Sequence, residues 1–323
     1  MKQIKQIKYM DKKNMKTYKS KSKLNKTLKK MNCSPMVEGN TVNNQSCLTS
    51  QLLEDIKKEY NLAHPTNKVT SSTPDQTWKD LHSRFNTCDS EDCWIKKMKL
   101  AGMSKEIDEI AFAPEQPADW KQNPKQWLSN YDILDVIGQY EKTPKYRDFK
   151  FIGPTTIDFD SRLPEKGDQC VLDDLCNFSL SQFIEKGKTK IGIVFNLDRH
   201  DQPGSHWVSM FIDIKEKIVF YFDSAGANQI PKEINELIKR VVKQGAELEN
   251  PIRFKLYHNS GIDHQKGNTE CGMYSLFFII TMLTGKISGQ SVRLPMKKRI
   301  HLFLKKRIPD DMVWNYRKIY FNA

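Results

Sequence analysis

Apolar positions at helical spacing come first along the chain. Leu48, Leu52, Leu53 and Ile56 form one helical stripe behind Thr49 or Ser50 as a cap, and residues 78–85 and 93–100 predict two more helices. These make a small helical module, placed at residues 32–111. Pro114, Pro117 and Pro124 then break all periodicity, so residues 112–126 read as a linker. A larger domain spans residues 120–323.

That domain opens with Ile133, Val136, Ile137 and Tyr140 on one helical face, followed by extended stretches at 149–152 and 155–159. Residues 190–197, 206–214 and 218–222 are rich in β-branched and aromatic residues and are separated by turn signals, which predicts three neighbouring strands. The stretch 231–243 sets Ile234, Leu237, Ile238, Val241 and Val242 on one helical face behind Pro231, and 252–258 reads as another strand. Residues 271–284 are apolar almost all round and stop at Gly285, which predicts a buried central helix. The order is α+β, with a mixed sheet, no GxGxxG motif, no P-loop and no internal repeat.

Charge changes this picture at one end. Residues 1–31 hold twelve lysines and a single acid, Asp11, so they carry +11 of the net +13. They predict a disordered arm suited to nucleic acid or an acidic partner, and the rest of the chain is not a uniformly basic binder. At 38% hydrophobic residues the remainder can bury a full core. The apolar run at 273–283 is too short to span a membrane. The N-terminus lacks an apolar signal region, so the protein is expected in a reducing compartment, with its seven irregularly spaced cysteines mostly free thiols. Cys88-x4-Cys93 with His82 offers at most half of a zinc site: the spacing is wide and no second cysteine pair follows at a zinc-ribbon distance, so no metal is assigned.

Three residues stand where a scaffold could present them. His206 lies at the start of one predicted strand and Asp223 at the end of the next, and an antiparallel turn at residues 215–217 brings those ends together. Cys271 opens the buried helix, where the helix dipole and a neighbouring histidine favour the thiolate. The set has the logic of a nucleophile, a general base and an orienting acid. The Cys271 N–H points out of the helix end, and Gln265, six residues earlier, can add a side-chain donor to the same oxyanion hole. Each residue alone has a plainer reading: a structural His, a turn-forming Asp, a small buried Cys.

Together, His206-Trp207, Asp223 and Gln265-x5-Cys271-Gly272 resemble the signature of the ubiquitin-like-protein proteases, a papain-like group that includes the SUMO-deconjugating enzymes and the adenovirus protease. Trp127-Leu128 ahead of an amphipathic helix matches the motif that opens the family's domain. The resemblance covers residues 120–320. One departure is visible: the family's Trp-Leu-x-Asp is Trp-Leu-Ser-Asn here, with Asn130 in the acidic place and Asp132 two residues on. The segments 127–140, 195–198, 204–207, 264–272 and 308–312 look like the large-DNA-virus branch of poxvirus, asfarvirus and giant-virus type.

The resemblance implies a papain-like fold and a thiol endopeptidase that cuts viral structural or core precursor polyproteins after Gly-Gly or Ala-Gly sites during virion maturation. It would work in the virion and the cytoplasmic viral factory and would not be secreted; no cofactor is assigned, and no metal site stands out among the residues. His206, Asp223, Cys271 and Gln265 would be catalytic. Trp207 and Trp127 would clamp the substrate backbone in a tunnel too narrow for large side chains. The alternatives are an isopeptidase that removes SUMO or ubiquitin from lysines, an acetyltransferase on a similar fold, and a non-enzymatic basic core-packaging protein.

Overall fold

The computed structural model describes residues 28–98, 104–164, 167–288 and 292–323. The lysine arm up to residue 27 lies outside the described residues. From residue 28 the chain is docked: Leu28 and Met31 pack on the N-terminal module, and the Lys29 N–H donates to the Asp89 carbonyl at 2.6 Å.

That module consists of α1 (Ser50–Ala63), α2 (Pro74–Arg84), α3 (Glu91–Lys97) and α4 (Ser104–Ala111). Thr49 caps α1 by accepting from the Leu52 N–H. Leu52, Leu53, Ile56, Trp78, Leu81 and Trp94 close a core of its own. The thiol expectation fails: Cys33–Cys47, Cys88–Cys93 and Cys170–Cys176 are disulfides, and only Cys271 is free. Sequence spacing does not reveal the pairs, because it is the folded backbone that brings the Cα atoms to 5.0, 5.6 and 6.3 Å, within bridging reach. The Cys88–Cys93 bond also removes both residues as metal ligands.

The larger unit starts with α5 (Asn130–Lys142) and β1 (Phe149–Thr156), continues through a ribbon of β2 (Arg162–Leu163) and β3 (Gln169–Cys170), and then through α6 (Asp173–Cys176) and α7 (Leu180–Glu185). It goes on with β4 (Lys190–Asn196), β5 (Trp207–Asp213), β6 (Ile218–Phe222), α8 (Lys232–Ala246), β7 (Lys255–His258) and α9 (Cys271–Thr284). It closes with α10 (Met296–Lys305), α11 (Asp310–Asn315) and α12 (Arg317–Tyr320). Five strands form one mixed sheet in the order β1-β4-β5-β6-β7, parallel at its two outer pairs and antiparallel inside. The stretches 149–152 and 155–159 are not separate: the first six of those residues and the Gly153-Pro154 step lie in β1, which carries an irregularity between Ile152 and Thr155.

Alternation along the strands builds two cores. Phe149, Phe151, Val194, Phe211, Phe220 and Phe222 face α9 and α5, while Ile191, Ile193, Phe195, Val208, Met210 and Tyr221 face α8. The central helix α9 is buried on every side and ends at Gly285 in the left-handed conformation, φ 70°. Both faces of the sheet are therefore covered, and the open ends of the strands are left to carry chemistry.

The Pro-containing segment is built into the structure. Trp120 sits in the core beside Phe321, and Gln116 and Asn322 exchange backbone bonds with each other's neighbourhood. Asn32 donates to the Lys318 and Phe321 carbonyls, and Asn322 donates to the Asn32 and Ala113 carbonyls. The C-terminal tail thereby binds the two units together. No helix among the described residues is long and apolar enough to cross a membrane.

Candidate active site

Residues 198–205 fix the approach to β5. The Ser205 hydroxyl donates to Asp198 at 2.5 Å, the Gly204 N–H donates to the same carboxylate, and the Ser205 N–H donates to Asn196. His206 follows at the mouth of the β5–β6 hairpin. With Ser209 paired to Phe222, the register carries Asp223 to the level of Val208, two residues from His206 on the same strand end, so the two side chains reach each other diagonally. Nε2 of His206 lies 2.7 Å from Oδ1 of Asp223.

Asp223 is buried and held from several sides. Its Oδ1 also accepts from the Ala225 N–H at 2.9 Å. Asn259, which is fully buried, accepts from the Asp223 N–H and donates to the Asp223 carbonyl. Burial alone would raise the Asp223 carboxyl, but its hydrogen bond to His206 outweighs this and holds it below the usual carboxylate range. Burial likewise works against a charged His206, yet the hydrogen bonds to Asp223 and Cys271 prevail and raise it to about 9. With Nε2 turned to Asp223, Nδ1 is the nitrogen left for Cys271.

Cys271 is the first residue of α9 and is buried. Its neighbour Gly272 is needed for close approach: a Cβ there would stand 3.0 Å from Cβ of Leu128 and 3.3 Å from Cδ1 of Trp207. Gln265 lies on the loop before the helix. Its Oε1 accepts from the Ser224 hydroxyl at 2.7 Å and its Nε2 donates to the Gly267 carbonyl at 2.9 Å. One of the two amide hydrogens is thus engaged, and the other is left for a ligand oxygen. Asp310 holds the loop by accepting from the Lys266 and Gly267 N–H groups and from the Tyr274 hydroxyl.

The two tryptophans differ. Trp207 is buried, and its Nε1 donates to the Leu128 carbonyl at 3.1 Å. Trp127, on the adjoining segment, is 39% exposed. The unusual Ser-Asn step has a structural reading: Asp132, not Asn130, completes a capping box with Ser129 at the start of α5. The structure brings His206, Asp223 and Cys271 together, sets Gln265 on the loop leading to Cys271, and puts Trp207 beside Gly272. The pattern of residues gives no sign of Asn259, Ser224 or the Glu270–Arg317 ion pair next to Cys271. Each acts through a tertiary contact, and no local periodicity marks it. No cluster of metal-ligating side chains occurs among the described residues. A cavity of about 510 Å³ lies between the two units, lined by Tyr140, Tyr146, Tyr316 and Tyr320 among others, away from His206 and Cys271.

Comparison with known proteins places the chain among cysteine proteases of related sequence and fold. Residues 186–312 match the Ulp1 protease family, C-terminal catalytic domain. The chain is 32% identical over 216 residues to a thiol protease of Acanthamoeba polyphaga mimivirus, a match that covers 64% of this chain and 65% of the relative, just under two thirds of its length. It is 28% identical over 245 residues to a cysteine protease of African swine fever virus, covering 71% of this chain and 81% of the relative. A crystal structure of the African swine fever virus protease shares the fold, with a TM-score of 0.58 and 21% identity over 92% of this chain and 97% of that one.

Proposed function

We propose, from the premise that this chain carries a Ulp1-type cysteine protease domain, that it is a thiol endopeptidase acting on viral precursor proteins at small Gly-Gly or Ala-Gly sites. The observation that carries the reading is the His206 ring, bonded on one side to Asp223 at 2.7 Å and on the other to Cys271, the single free cysteine.

The chemistry follows from the placement. The Cys271 thiolate attacks the scissile carbonyl carbon, and the Cys271 N–H and the spare Gln265 amide hydrogen receive the oxyanion. His206, held protonated, gives its proton to the leaving amine as the C–N bond breaks, leaving a thioester. His206 then takes a proton from water, which attacks the thioester and frees the acid. Asp223 holds the imidazole and supports its charge throughout. Trp207 and the more exposed Trp127 are the proposed walls of the substrate channel, and a Gly-Gly backbone suits walls that leave no room for a side chain.

Viral relatives support viral protein substrates, and the work would be done at virion assembly in the cytoplasmic factory. The lysine arm is the proposed contact to nucleic acid or an acidic partner there, an electrostatic tether that salt would weaken. One observation favours a second reading: some African swine fever virus relatives carry the name SUMO-1 cysteine protease. Purified protein offered a Gly-Gly-X peptide and, separately, a SUMO–lysine conjugate separates the two. Peptide cleavage without release of SUMO supports the endopeptidase, and release of SUMO alone overturns it in favour of the isopeptidase.

A further inference from the structure

Directly behind the nucleophile is a buried ion pair that the catalytic steps above do not use. Arg317, in α12, is 4% exposed, and Glu270, the residue before Cys271, is 3% exposed. Nε and Nη2 of Arg317 donate to the two carboxylate oxygens of Glu270, each at 3.1 Å. Nη1 donates to the Pro124 carbonyl at 3.1 Å and the Gln126 carbonyl at 3.0 Å, and Nη2 reaches the Thr269 carbonyl at 3.4 Å. All five guanidinium hydrogens therefore have a partner. The same guanidinium lies 4.2 Å from the ring centre of Trp120, whose own Nε1 donates to the Gln126 carbonyl.

We propose that Arg317 is a positioning residue with two tasks, a reading that rests on Cys271 being the nucleophile. It neutralises the Glu270 carboxylate, which would otherwise oppose a thiolate on the next residue. It also ties segment 124–126 to the turn that begins α9. Residues 127 and 128 follow directly on that segment, and the Leu128 carbonyl holds Trp207 while its side chain meets Gly272. One planar fork thus fixes the register between the nucleophile and the tryptophan wall. Lysine cannot do this, because its ammonium is a point charge that cannot serve five acceptors in one plane.

Removing Arg317 alone leaves a buried carboxylate unpaired, a severe lesion that can unfold the protein. The test therefore uses three full-length variants: Arg317→Met, Arg317→Lys, and Arg317→Met with Glu270→Gln. Four quantities are measured on each: kcat/KM on a Gly-Gly peptide, the pH profile of Cys271 alkylation by iodoacetamide, amide exchange in 122–129, and Tm. In Arg317→Met the alkylation profile moves to higher pH, and the added Glu270→Gln returns it. The double variant still loses about 10²-fold in kcat/KM, as a displaced catalytic geometry does, with faster exchange at 124–128. Arg317→Lys keeps the wild-type alkylation profile but loses activity. A double variant with wild-type kcat/KM and exchange would overturn the positioning role, and an unchanged profile in Arg317→Met would overturn the electrostatic one. If wild-type protein leaves the peptide intact, the proposed function fails, while exchange and alkylation still decide the role of Arg317.

Discussion

His206 and Asp223 stand seventeen residues apart in the chain and 2.7 Å apart in space, joined across the open end of the β5–β6 hairpin. That bond, with the one to Cys271, keeps the imidazole charged to about pH 9 despite its burial. Activity that depends on a protonated His206 is therefore expected to fall as pH rises through about 9. In Asp223→Asn the alkaline limb moves down toward 6.5, the ordinary histidine value. A kcat/KM profile of both proteins checks this.

The same shift has a sign for stability. His206 is raised on folding, so its contribution is complete below about 6.5 and is lost as pH climbs through about 9. Asp223 is lowered, so its contribution is present above its ordinary value and is lost in acid. Thermal melts of wild type and His206→Ala across this range are expected to converge at high pH.

Asn259 grips the backbone of Asp223 through both ends of its amide. Asn259→Ala leaves buried polar groups unmet and should cost about 1–3 kcal/mol in chemical denaturation. It should also lower kcat by freeing the acid that orients His206.

How far the sequence reached can be judged from particular residues. The three central strands, the helix over 271–284 and the meeting of His206 with Asp223 were legible, because each follows from a local period or a tight turn. The strand expected over 252–258 is shorter in the structure: residues 252–254 lie outside β7, which begins at Lys255. Its apolar residues pack against the α8 side of the sheet without pairing, and a run of apolar residues does not distinguish the two cases. The disulfides, the Asn259 clamp and the Arg317 fork were illegible because their partners meet only when the chain has folded.

The cysteine pairing makes its own prediction. Denatured, non-reduced protein should take up one iodoacetamide, on Cys271, and reduced protein seven. Mass spectrometry of the labelled peptides checks it.

Gly272→Ala is expected to push Leu128 and Trp207 away from the helix start, since the new methyl has only 3.0 and 3.3 Å of room. The cost in stability should be about 1–3 kcal/mol. The loss in kcat/KM should be larger than that implies, read by comparing peptide cleavage with melting.

Gln265→Ala removes the proposed side-chain donor to the oxyanion. It should lower kcat about 10²- to 10³-fold with little change in KM.

The most direct test of the central claim is mass spectrometry of a Gly-Gly-X peptide after incubation with wild-type protein and with Cys271→Ala. The account predicts a single cut after the second glycine by wild type, with a thioester-linked acyl group trapped on Cys271 at early times, and an intact peptide with the variant. Cleavage that survives Cys271→Ala would contradict it.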